Sequence, residues 1–378
     1  MFSGCPLLYR VNFVITKHYR RKEITMNKID TVAAYDGYPL KVKYTYPENG
    51  QVDKIVIYVN GSGPSTYDNK RKWIDGTFFN YHDFFADEFL KRNIAYCTYN
   101  TRGVEIGDTA PFFVTIDDEA YLKYLPSNSV RDVEAIINHL LKIGAFAHSK
   151  VYLLGWSEGT IIAPLVALNG NVKVDALLLA GYANENLKDI MTWQFSGNLE
   201  LTIWKKVFDY DRKGYITKED FEADKNHVRE KLFGNKSFED LDKNGDGKID
   251  AEDAALRSLP HLHNILKAVE NNDDEWLKNN HGVRLTSGWL KEHFALKPNK
   301  EILPLLELPI FIFQGEFDAM CPKQYAEDIK SKFDALGKTN LTVTIFQNHD
   351  HDLNYALFLF KKEISQGIAS ILETAERL

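Results

Sequence analysis

At 378 residues the chain is long enough for one large or two ordinary domains with a sizeable buried core. It is 44% hydrophobic and 26% charged, and its net charge of −7 argues against nucleic acid or an anionic membrane surface as the main partner. No apolar run reaches the length of a membrane-spanning helix. Three scattered cysteines, Cys5, Cys97 and Cys321, make no disulfide framework and fit a reducing, cytoplasmic compartment.

Residues 1–26 read as an extension. M-F-S-G-C-P-L-L-Y-R has no basic start ahead of an apolar stretch, so it is a poor secretory signal. Met26-Asn27-Lys28 looks like a natural start, so the extension is expected to be an upstream reading of the gene or a loosely held tail, with a mitochondrial-type presequence as the alternative. Ile29–Tyr35 and Leu40–Tyr46 alternate around Asp36-Gly37 and predict a hairpin-like strand pair. Lys54–Val59 is a nearly continuous apolar run, a buried strand, ending in the glycine-rich Asn60-Gly61-Ser62-Gly63-Pro64. Such a loop leaves backbone N–H groups free to approach a ligand, although an ordinary tight turn has the same composition.

Phe84–Leu90 has helical spacing, Ile94–Tyr99 is the next strand, with Cys97 in its core, and Ser129–Ile143 is a helix with Ser129 as its expected cap. The apolar run Val151–Leu154 is followed at once by Gly155-Trp156-Ser157-Glu158-Gly159 and then by an apolar helical pattern. Strand, G-x-S-x-G, helix is the nucleophile elbow. The turn is so sharp that the serine takes a strained backbone and both flanking glycines must lack side chains. Val174–Ala180 is a further buried strand. Strands that are apolar throughout and alternate with helices imply a mostly parallel sheet covered on both faces.

After Gly181 the rhythm stops, and from about Ala183 to Leu303 no sheet strands are evident. It resumes with a strand at Leu308–Phe313, a helix near Gln324–Leu336, a strand at Leu341–Phe346 and a final helix from Leu353 to Leu372. The expected division is therefore a core over 27–182 and 305–378, interrupted by a helical cap over 183–304. Trp193, Trp204, Trp276 and Trp289 of the cap are candidates to line a pocket, or simply core.

The cap carries a second motif. Asp242, Asn244, Asp246, Asp250 and Asp253 place oxygen side chains at positions one, three, five, nine and twelve of a twelve-residue loop, with Gly247 at six. This is the EF-hand pattern, and it suits a hard cation, Ca²⁺ first; Lys248 would add its backbone carbonyl. Upstream, Asp209, Asp211, Tyr215 and Asp220 fall in the same frame over 209–220, and Ile216 matches Ile249. Lys213 occupies position five there, where an ammonium cannot ligate a cation, so this loop is expected to be weaker or empty. Both loops end in Asp rather than Glu, which leaves Ca²⁺ against Mg²⁺ open. The metal is expected to staple the cap, with regulation as the alternative.

Candidates to partner Ser157 follow in order. Asp318, after the turn that ends the 308–313 strand, sits where an orienting acid should, with Glu316 as runner-up; His349 and His351 follow the next strand. Serine, acid, histidine is the chain order of the α/β hydrolases, with each residue at the carboxyl end of a strand. At these residues the chain resembles an α/β-hydrolase-fold serine esterase of the group with an H-G-S-G-P-type loop and a G-H-S-E-G elbow, here N-G-S-G-P at 60–64 and G-W-S-E-G at 155–159. The resemblance covers roughly 29–182 and 305–378. It departs at Asn60 and Trp156, both usually His, and the bulk of Trp156 is expected to narrow the acyl pocket.

The resemblance implies an α/β-hydrolase fold with Ser157 as nucleophile, Asp318 as acid and His351 as base. His351 is preferred over His349 because His351-Asp352-Leu353-Asn354 resembles the family's H-D-L-N. The backbone N–H groups of Glu158 and Ser62 would form the oxyanion hole, and Asp350 and Asp352 would raise the pKa of the base. The expected activity is hydrolysis of a small-molecule carboxylic ester. An acyl-peptidase or thioesterase would use the same triad, and a non-catalytic calcium-responsive binding protein is the competing class.

Overall fold

The computed structural model describes residues 25–48, 51–72, 76–110 and 112–378; the expected extension lies almost wholly outside them. Eight strands form the main sheet: β1 (Thr25–Ala33), β2 (Pro39–Pro47), β3 (Lys54–Val59), β4 (Ala95–Tyr99), β5 (Lys150–Trp156), β6 (Ala176–Ala180), β7 (Ile310–Gly315) and β8 (Leu341–Phe346). Their order is β1-β2-β4-β3-β5-β6-β7-β8. β1 and β2 pair antiparallel, β2 runs antiparallel to β4, and every later neighbour is parallel.

The central strands are apolar on both sides because both sides are covered. Val151 and Leu153 of β5 join the core beneath α2 (Pro126–Leu140) and α3 (Gly159–Asn169). Tyr152, Leu154 and Trp156 point to the opposite face, towards α1 (Tyr81–Leu90) and α9 (Gln366–Arg377).

Several helix boundaries differ from the sequence reading, two of them instructively. α2 begins three residues earlier, with Leu125 as the capping position and Pro126 at the first helical position; Ser129 is already inside, its N–H bonded to Leu125 O at 2.8 Å. Proline fits there because its missing N–H has no partner to lose. The expected final helix is two pieces, α8 (Ala356–Lys361) and α9. Lys362 ends the first with φ +58°, and the Ser365 hydroxyl caps the second. The apolar spacing runs across this break, which is why periodicity alone joined the two.

Between β6 and β7 lies the helical cap, which has two cores of its own. One packs α4 (Leu187–Trp193), α6 (Ala251–Asn271) and α7 (Ser287–Ala295) against Tyr121 and Tyr124 of the sheet domain. The other is aromatic, with Trp204, Phe208, Phe221, Phe233 and Phe238 around Ile216 and Ile249. It lies within an EF-hand-like pair entered by α5 (Leu199–Phe208) and left by α6. The two loops pair antiparallel through Ile216–Thr217 and Lys248–Ile249, with Ile216 opposite Ile249. α6 spans both cores and ties the pair rigidly to the rest of the cap. No helix among the described residues is long and apolar enough to cross a membrane.

Candidate active site

Ser157 sits in the turn between β5 and α3 with φ +56°, a left-handed backbone that a serine rarely adopts. Close packing imposes it. A Cβ on Gly155 would lie 2.3 Å from the Gly159 carbonyl oxygen, and one on Gly159 would lie 2.1 Å from that of Val59. The loop after β3 crosses directly over the turn, since a Cβ on Gly61 would stand 3.4 Å from Ser157 Cβ. Ser62, Ser157 and Glu158 thereby line one cavity.

Asp318 follows β7 and is fully buried. Its Oδ1 accepts the N–H groups of Met320 and Cys321, both at 2.8 Å, and its Oδ2 accepts Gln314 Nε2 at 2.8 Å. His351 Nδ1–H donates to the same carboxylate, 2.8 Å from Oδ2. The imidazole rests on the Cα of Gly181, the residue after β6, where a Cβ would come within 2.6 Å of its ring. Ser157 N–H in turn donates to Ala180 O at 3.0 Å, so the serine and the ring both lie against the carboxyl end of β6. With Nδ1 held by the Asp318 carboxylate, Nε2 is the ring nitrogen left with a free lone pair.

Burial disfavours the charged imidazole of His351, but Asp318 beside it, helped by Asp352 and Asp350, outweighs that and holds its pKa above the ordinary 6.5. His349 is engaged elsewhere: Nδ1 contacts Gln347 O and Nε2 accepts the Gly367 N–H. Glu316 also points away from His351, accepting the Asn348 N–H at 2.9 Å and Arg212 at 2.8 Å.

Trp156 does not narrow the cavity. Strand alternation sends it to the face of Tyr152 and Leu154, where it stacks on Tyr58 and meets Phe85 edge-on. Its Nε1–H donates to His351 O at 3.2 Å and so braces the histidine loop from beneath. Of the four cap tryptophans only Trp289 lines the cavity; Trp204 is in the EF-hand core, Trp276 packs on the cap core and Trp193 lies against Tyr325.

The Glu158 side chain is buried beneath the elbow. Oε1 accepts Trp289 Nε1–H at 3.1 Å and His293 Nε2–H at 2.9 Å, both from α7 of the cap, and Oε2 accepts the Tyr124 hydroxyl. Sequence reading missed Tyr124 and His293, which lie 34 and 135 residues away. The only signal was a carboxylate inside an otherwise apolar elbow and helix. The cavity itself, about 210 Å³, is closed on the cap side by Leu187, Met191, Phe195, Val283 and Leu285 and is overwhelmingly apolar.

The two EF-hand-type loops differ in what their carboxylates face. In the loop from Asp242, the Asp242 carboxylate accepts the N–H groups of Gly245, Asp246 and Gly247, and that of Asp253 accepts those of Lys243, Asn244 and Asp250. Lys248 Nζ, from position seven, lies between Asp246 at 3.4 Å and Asp250 at 2.8 Å. In the loop from Asp209, Lys213 Nζ, from position five, bridges Asp211 at 3.3 Å and Asp220 at 3.0 Å. Both glycines at position six, Gly214 and Gly247, have positive φ. Among the described residues no three His, Cys, Asp or Glu side chains are gathered as a metal cluster.

Among solved structures, a lipase in an open form aligns with TM-score 0.51 at 12% identity, over 93% of this chain and 99% of its own. A carboxyl esterase from Bacillus coagulans, in complex with glycerol, aligns with TM-score 0.51 at 13% identity, over the same 93% and 99%. This is the α/β-hydrolase fold. An esterase from Exiguobacterium antarcticum aligns at TM-score 0.47 and 14% identity over 92% of this chain and 99% of its own. A family model for the EF hand matches residues 235–253, the second loop and its entering helix. No curated protein sequence matches the chain. The α/β-hydrolase core thus carries the Ser157 turn and the loops of Asp318 and His351 at the carboxyl edge of the sheet, beneath a cap with an EF-hand-like pair.

Proposed function

We propose that the protein is a serine hydrolase that cleaves carboxylic esters of apolar acids through an acyl-enzyme. The observation that carries this reading is the buried Asp318 carboxylate, bonded to His351 Nδ1 at 2.8 Å, in a site whose serine is held at φ +56°. In this reading His351 Nε2 takes the Ser157 Oγ proton as Oγ attacks the ester carbonyl. Asp318 fixes the tautomer and steadies the imidazolium. The backbone N–H groups of Ser62 and Glu158 stabilise the oxyanion, each contributing about 3 kcal/mol. His351 then gives its proton to the leaving alcohol, and water activated by the same nitrogen releases the acid. The apolar cavity takes the acyl chain.

The loop from Asp242 supports Ca²⁺ binding by the chemistry of its donors. Asp242, Asn244, Asp246, Asp250 and Asp253 supply oxygen, with the Lys248 carbonyl, once the carboxylates turn from the loop amides to the ion. The loop from Asp209, where Asp211, Tyr215 and Asp220 were candidates, fits less well, because position five carries the Lys213 ammonium, tethered to Asp211 and Asp220, where the second loop has the Asp246 carboxylate. Bound there, Ca²⁺ would supply cross-linking charge to the cap.

The test is a fluorophosphonate probe together with a p-nitrophenyl ester series. Covalent labelling and hydrolysis, both abolished in Ser157→Ala, are expected; an unlabelled, inactive folded protein refutes the reading.

A further inference from the structure

The EF-hand pair touches the sheet domain at a telling place. Arg212, from the first loop, donates through one terminal nitrogen to Glu316 Oε1 at 2.8 Å and through the other to Asn348 Oδ1 at 3.1 Å. Glu316 lies two residues before Asp318, and Asn348 three before His351. The other oxygen of Glu316 accepts the Asn348 N–H at 2.9 Å, and Phe317 N–H donates to His349 O at 2.8 Å. The acid and histidine loops are therefore stitched to each other, and Arg212 closes the stitch from outside, its guanidinium 5.8 Å from the centre of the Phe317 ring. A second cation of the same module, Lys206 on α5, stands 3.4 Å from Asp350, the residue before His351.

We propose that Arg212 is a positioning residue, which ties the EF-hand pair to the two loops carrying Asp318 and His351 and sets the geometry of that pair. The inference rests on the hydrolase reading for its catalytic consequence. Three features argue that the contact is built in. Arg212 has φ +56°, and its counterpart at position four of the second loop is Gly245 at φ +73°; a bulky side chain occupies a backbone conformation that glycine takes in the twin loop. Glu316 is nearly buried, its side chain 9% exposed, so its carboxylate depends on the donors it has. Lys213, next in sequence, bridges Asp211 and Asp220 as a tethered cation, which shapes this loop independently of metal and so holds Arg212 in place.

The test compares Arg212→Ala and Arg212→Lys with the native chain. If Arg212 positions the pair, Arg212→Ala lowers kcat about tenfold with KM and melting temperature nearly unchanged, the size expected of a sub-ångström misplacement. Arg212→Lys, which keeps one charged contact to Glu316, recovers part of the loss. The downfield proton resonance of the His351–Asp318 hydrogen bond shifts or broadens in Arg212→Ala and is partly restored in Arg212→Lys. Native kcat and an unmoved resonance in Arg212→Ala overturn the proposal. If the native chain is neither labelled by a fluorophosphonate nor active on esters, the hydrolase reading fails by itself. The proton resonance, which needs no turnover, still decides whether Arg212 positions the pair.

Discussion

At the scale of single residues, Glu158 shows how the elbow is tied to its surroundings. Its buried carboxylate accepts from Tyr124, Trp289 and His293, so one side chain joins the nucleophile turn to the cap helix α7. Glu158→Ala leaves those donors unpaired in a dry site and is expected to cost about 3 kcal/mol of stability, read from urea denaturation. Glu158→Gln, which still accepts through one oxygen, should cost less. Under the proposed mechanism His351 sets the pH dependence. The base must be neutral to accept the Ser157 proton, and neighbouring carboxylates hold its pKa above 6.5. Activity should therefore rise with pH along a limb lying alkaline of an ordinary histidine. Asp352→Asn removes one of the negative charges that favour the imidazolium, so it should move that limb towards lower pH in kcat/KM profiles.

At the scale of elements, the paired loops are one frame used in two ways. Both have a positive-φ glycine at position six, and they share the Ile216–Ile249 bridge. They differ at position five, where one carries Asp246 and the other Lys213. Calorimetric titration with Ca²⁺ should count one site per chain, lost in Asp242→Ala. Lys213→Asp replaces the ammonium at position five with a ligand and should raise the count to two. A native stoichiometry of two would show that Lys213 swings away from Asp211 and Asp220. EDTA should lower the melting temperature by loosening the entry to α6, whose first turn is capped by Asp250 and Asp253.

At the scale of the whole molecule, the cavity belongs to neither part alone. The core contributes Ser62, Ser157 and Ile161, and the cap contributes Leu187, Met191, Phe195, Val283 and Trp289. Filling it from the cap side should change specificity without touching the acid or the base. Met191→Trp is expected to move the preference in a p-nitrophenyl ester series from longer towards shorter acyl chains while leaving hydrolysis of the acetate nearly unchanged. An unaltered chain-length profile would mean that the acyl group binds elsewhere.

Local signals carried much of this in the chain itself. Apolar runs with glycine-rich ends marked the sheet strands, G-W-S-E-G between strand and helix marked the elbow, and spaced oxygens marked the second EF-hand loop, because each depends on residues a few positions apart. The same locality misled where periodicity ignores caps and faces: it ran one helix through the break at Lys362, and it judged Trp156 by size when strand alternation turns it to the other side of the sheet. Contacts between distant segments were decided only by the tertiary structure. His351 rather than His349 meets Asp318 because the loop after β8 turns His349 onto Gln347 and Gly367. Tyr124, His293 and Arg212 owe their places to packing between the cap and the sheet domain, across separations that no spacing rule spans. Residue chemistry and local order are written along the chain, whereas the partners of a buried or bridging charge are selected by whichever surfaces the fold brings together.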